Sequence, residues 1–84
     1  RRALSANPGY APALIEMAEL EHAQGRNPSA KSYLERYLAA GGRGPKALLL
    51  GVRIERALGA RPAASRYEKL LRENYPDAPE VQSL

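Results

Sequence analysis

The chain has one histidine, His22, and no cysteine, so few of its side chains could do chemistry. Metal binding or acid–base work would have to start from His22. A zinc site needs three or four ligands, and at one-turn spacing from His22 there is no second ligand except carboxylates and Arg26. Glu16 and Glu19, three residues apart, would share one helix face and imitate a paired-carboxylate site. No pocket or positioned nucleophile accompanies them in the sequence. The stretch Gly41-Gly42-Arg43-Gly44 is too short for a phosphate loop and lacks its Lys-Ser/Thr end. Without cysteine there is no thiolate metal site, disulfide framework or thiol nucleophile. These residues read as a surface histidine, solvated acids and a turn. The expectation is a chain that is not an enzyme, with no catalytic residue, metal or cofactor.

Thirteen basic residues, ten of them Arg, stand against nine acidic ones, for a net charge of +4. An anionic partner has to be weighed. Nucleic-acid binding would need the arginines on one surface, whereas Arg36, Arg43, Arg53, Arg66 and Arg72 are spread over helices and a loop with Glu interspersed. No nucleic acid is expected. No apolar run approaches the roughly 18–20 residues of a membrane span, and Arg1-Arg2 is followed by Ser5-Ala6-Asn7-Pro8 rather than by a signal-type apolar region. No membrane insertion by this chain is expected. Its 84 residues make one small domain or a cut from a larger one. With five Tyr and no Phe or Trp, the core must come from Ala, Leu, Ile and Val, which suits closely packed helices.

What must position these residues emerges when the chain is laid against itself. At an offset of 34 residues Ala13 pairs with Ala47, Leu14 with Leu48, Gly25 with Gly59, Pro28 with Pro62, Ala30 with Ala64 and Tyr33 with Tyr67. Thirty-four is the period of the tetratricopeptide repeat, a helix, a tight turn and a second helix. The fold expected is all-α, with such helical hairpins stacked in a right-handed α-solenoid.

The whole chain, 1–84, reads as one array: residues 1–10 end a preceding repeat, 11–44 and 45–77 are full repeats, and 78–84 start a capping helix. In the first copy a helix over about Ala11–Gln24 carries Leu14, Met17 and Ala18 at repeat positions, with Glu21 where an aromatic is usual. Gly25 closes it, and Asn27-Pro28 opens the next helix as N-cap and first-turn proline. That helix, about Pro28–Ala40, places Ala30, Tyr33, Leu34, Tyr37 and Leu38 at helical spacing. The second copy has helices near Pro45–Leu58 and Pro62–Asn74 around Gly59. Gly51 inside a helix implies a close backbone approach, since it costs about 1 kcal/mol relative to Ala. Asp77 and Glu80 read as a capping box for the last helix. Tyr33, Tyr37 and Tyr67 read as packing residues, and Tyr10 and Tyr75 lie at turns.

Three stretches carry a family resemblance: Tyr33-Leu34-Glu35-Arg36-Tyr37-Leu38-Ala39, residues Ala47 through Gly59, and Pro76-Asp77-Ala78-Pro79-Glu80. Together they resemble the C-terminal repeats of the type IV pilus biogenesis and stability family, PilW/PilF. The Leu50-Gly51-Val52-Arg53-Ile54 segment is the most specific, because its Gly-Val order departs from the ordinary repeat in a way that this branch shares. The resemblance implies a portion of a periplasmic, outer-membrane-associated pilotin-like lipoprotein that helps the pilus secretin assemble. The lipid-bearing cysteine of such proteins has no counterpart here.

In repeat arrays of this kind the first helix of each pair lines the concave face. The candidate partner-binding residues are therefore Glu16, Glu19 and His22 from one helix and Leu49, Arg53 and Arg56 from the next. Glu19 and Arg53, at equivalent positions, read first as a solvated ion pair worth about 0–1 kcal/mol. A carboxylate clamp of the chaperone-adaptor kind does not fit, because the corresponding positions hold Ile15, Glu19, Leu49 and Arg53. The function expected is a protein–protein interaction scaffold, with an outer-membrane secretin as the partner the resemblance implies. The alternatives are a peptide-binding repeat adaptor of another pathway and, behind it, a basic nucleic-acid binder. Self-association through uncovered repeat ends is a further expectation.

Overall fold

Glycine and proline punctuate the chain into helices too short to be stable alone, so each must bury a face against a neighbour. The computed structural model describes residues 11–84, and these form five helices with no strand among them. They are α1 (Ala11–Ala23), α2 (Asn27–Ala39), α3 (Pro45–Ala57), α4 (Arg61–Asn74) and α5 (Pro79–Gln82). The expected repeat end at residues 1–10, with Tyr10, lies outside the described residues. The described residues divide into two compact units, with the boundary between Gly42 and Arg43.

In the first unit α1 and α2 pack as a hairpin. Leu14 and Ala18 of α1, one turn apart, are buried, as are Ala30 and Leu34 of α2. Each fully buried leucine contributes on the order of 2 kcal/mol of transfer free energy. The turn is a glycine C-cap: Gly25 has φ 79°, its N–H donates to the His22 carbonyl at 3.0 Å, and the Arg26 N–H donates to the Glu21 carbonyl at 2.8 Å. Asn27, expected as the N-cap, is the first residue of α2 instead. Arg26 holds the cap position with no side chain capping the helix, because its carbonyl already accepts the Ala30 N–H at 2.9 Å and the helix thus starts one residue early.

The second unit repeats the device. Gly59 has φ 76°, its N–H donates to the Arg56 carbonyl at 3.0 Å, and the Ala60 N–H donates to the Glu55 carbonyl at 2.8 Å. Helices α3 and α4 pack together, with Leu48, Val52, Ile54, Ala64 and Leu71 among the buried apolar residues. The close approach expected at Gly51 is present, and Tyr67 of α4 is what approaches.

Helix α5 is a single turn resting on both α3 and α4. The expected capping box is absent. Ala78 is the N-cap residue, extended at φ −73° and ψ 144°, and no side chain caps the helix. The reason is Pro79: a residue before proline is driven out of the helical region. Asp77 thereby precedes the N-cap residue and does not cap the helix.

Candidate functional site

The candidate contact residues lie on the first helix of each hairpin, where a rigid pair holds them. On α1, Glu16, Glu19 and His22 recur at three-residue steps. Glu16 is exposed, while Glu19 and His22 are half-buried. His22 Nδ1 lies 2.6 Å from Asn27 Oδ1, so the imidazole is tied across the turn to the start of α2. No group of three or more His, Asp or Glu side chains that could hold a metal occurs among the described residues.

Next to it, Arg26 Nε donates to Glu21 Oε1 at 2.6 Å, and the guanidinium also reaches Gln24. The Glu21 hydrogen bond and then its charge raise the Arg26 pKa above the ordinary value. Glu21, which stands in the place usual for an aromatic, thus serves as an anchor for the turn.

On α3, Leu49, Arg53 and Arg56 recur at four- and three-residue steps, the spacing of one helix face. Leu49 is half-buried, and Arg53 and Arg56 are exposed. Arg56 does not simply face outward: its Nη2 donates to Glu68 Oε2 of α4 at 2.6 Å. Arg72 approaches the other oxygen of Glu68 at 3.9 Å, so that one carboxylate serves two guanidinium groups. A cleft of about 480 Å³ opens beside this pair, lined by Arg56, Gly59, Arg61, Ala64, Ser65 and Glu68.

Two acids escaped the reading of the sequence. Glu68 is twelve residues from Arg56, a distance at which only the hairpin brings side chains together. Glu55 is buried, with 3% of its surface exposed. It falls one 34-residue period after Glu21, so the internal repeat carried a signal for a recurring acid at this place.

The two hairpins, each a pair of helices closed by a glycine turn and set 34 residues apart, have the form of tetratricopeptide repeats. The structure is similar to that of PilW, described as a widely conserved type IV pilus biogenesis factor, with a TM-score of 0.91 and 35% identity over 98% of this chain. The chain is a tetratricopeptide repeat protein resembling PilW and PilF. The PilF structure, from Pseudomonas aeruginosa, matches with a TM-score of 0.88 and 28% identity, again over 98% of this chain. The repeat chain spans 38% of the PilW chain and 37% of the PilF chain. No family model matches it, and no curated protein matches it. No helix among the described residues is long and apolar enough to cross a membrane.

Proposed function

We propose that this chain is a non-catalytic protein-interaction scaffold and forms part of a pilotin-like protein that aids assembly of a type IV pilus secretin. The observation that carries this reading is the likeness to PilW at a TM-score of 0.91 and 35% identity across 98% of the chain. The working location in this proposal is the periplasm, with outer-membrane association through a longer parent chain. The proposed units are the repeats 11–44 and 45–77, closed by the short helix within 78–84.

Helical hairpins suit such work because their backbone polar groups are satisfied internally and their cores hold the helices fixed, leaving exposed side chains to select a partner. The contact set we assign is Glu16, Glu19 and His22 on α1 and Leu49, Arg53 and Arg56 on α3. Side chains ordered beforehand lose less entropy on binding, and Arg56 is bonded to Glu68 at 2.6 Å.

The test is capture from a bacterial envelope extract with this chain and with the longer parent, using the Arg53→Glu/Arg56→Glu double variant as control. Retention of a secretin-type channel protein by both wild-type forms, lost in the variant, supports the proposal and this contact set. Retention by the parent alone keeps the pilus role and moves the contact off this chain. Retention of no envelope channel by either form overturns the pilus role and leaves a peptide-binding adaptor of another pathway.

A further inference from the structure

The turn between α3 and α4 cannot form the two side-chain pairs that close its counterpart between α1 and α2. In the first hairpin Glu21 accepts from Arg26 at 2.6 Å, and His22 Nδ1 meets Asn27 Oδ1 at 2.6 Å. Moved on by 34 residues, the first pair becomes Glu55 and Ala60, and the second becomes Arg56 and Arg61. Ala60 has no side-chain donor, and two guanidinium groups cannot bond each other. Arg56 turns to Glu68 instead. Arg61 is exposed and has no ion-pair partner among the described residues. Both arginines line the cleft of about 480 Å³.

That cleft has an electrostatic imbalance. Its lining sets two guanidinium groups, on Arg56 and Arg61, against the single carboxylate of Glu68, and Ser65 adds a hydroxyl donor. Gly59 and Ala64 complete the walls with almost no side-chain volume, which leaves room for a chain to enter. Glu68, at 2.6 Å, already meets the charge of Arg56, which leaves Arg61 as the cation of the cleft with no carboxylate beside it among the described residues. A guanidinium presents a planar fork that matches a carboxylate with two parallel bonds. A phosphate offers the same fork a bidentate partner, but it sets about −1.5 to −2 charges against Glu68 at one point where a carboxylate sets a single one.

We propose that the cleft over the Gly59 turn receives a carboxylate from an acidic segment of a partner protein, held by Arg61 with support from Arg56 and Ser65. This site lies beyond the contact set assigned above to the secretin. It shares only Arg56 with that set, and its deciding residue is Arg61.

The experiment is an NMR titration of the isotopically labelled chain with a tetraglutamate peptide, with a tetraglutamine peptide and inorganic phosphate as comparisons. Saturable shifts of the backbone amides from Arg56 to Ser65 are expected with tetraglutamate and not with tetraglutamine. Arg61→Ala should weaken that binding about two- to fivefold, in the range for one exposed charged contact. Glu68→Gln should strengthen it by removing the competing carboxylate, a gain that a merely structural role for these residues does not produce. Arg53→Glu, which disables the proposed secretin contact, should leave the pattern of shifted amides in place, so the two ideas fail separately. Binding that ignores Arg61→Ala, equal response to tetraglutamine, or phosphate binding as tightly as tetraglutamate would each overturn the proposal.

Discussion

The ring of Tyr67 lies so close to the α-carbon of Gly51 that a Cβ placed there would meet ring carbons Cγ, Cδ1 and Cε1 at 2.8 Å. At this position the Tyr67 ring of α4 lies against the backbone of α3. One whole edge of the ring, from Cγ to Cε1, occupies the space, so a swing of the ring tip alone does not relieve the clash.

Gly51→Ala is accordingly expected to destabilise the chain although alanine is the better helix former. Overpacking costs about 1–3 kcal/mol, and the gain in helix propensity returns about 1 kcal/mol, leaving a net loss of roughly 1 kcal/mol or more. Urea unfolding followed by circular dichroism measures it. In a Tyr67→Ala background the same substitution should become neutral or stabilising. A Gly51→Ala chain more stable than wild type in the native background would show that the contact is not tight.

The hairpins were legible because their punctuation recurs: Gly25 and Gly59 each sit at φ near 80° and close the same two backbone bonds, which few other residues tolerate. The Gly51 approach was legible for a similar reason, a helix-weakening residue retained inside a helix. Cap chemistry was less so. Asn27 and Asp77 match cap positions by type, but the Arg26 carbonyl and the Pro79 ring decide where each helix begins. The Arg56–Glu68 bond, the cleft beside it and the burial of Glu55 depend on which helix faces meet, and a one-dimensional pattern of residue types does not hold that information.

Gly59→Ala tests the turn. Alanine at φ 76° is strained by about 1–2 kcal/mol, and nothing lies within 4 Å of the added Cβ, so the loss is conformational rather than steric. The thermal midpoint should fall by several degrees, as about 1 kcal/mol shifts a domain of this size by roughly 4–8 °C. Gly59→Asn should lose less than Gly59→Ala, because asparagine tolerates the left-handed region better.

Leu71→Ala tests the core of the second hairpin. Leu71 has no exposed surface, and truncation there removes buried methyl groups and leaves a cavity. The expected cost is about 2–5 kcal/mol, a large share of what a small domain has to lose. The half-exposed Leu70 beside it provides the control, since Leu70→Ala should cost far less. Equal losses at the two positions in denaturant unfolding would contradict this assignment of the buried face.

The Arg56–Glu68 bond makes a different prediction, because it joins two helices at the surface. The Arg56 side chain is 51% exposed and that of Glu68 21%, so water and salt screen the pair. A double-mutant cycle with Arg56→Ala and Glu68→Ala should give a coupling of no more than about 1 kcal/mol, falling as ionic strength rises. The two single variants should differ, however. Glu68→Ala removes the carboxylate that Arg56 and Arg72 both approach and leaves their charges facing each other, whereas Arg56→Ala leaves Glu68 still near Arg72. Glu68→Ala should therefore be the more destabilising of the two at low salt, and the gap should close at high salt. A gap that stays constant with salt would mean that packing of the Glu68 side chain, rather than its charge, holds α4 against the end of α3.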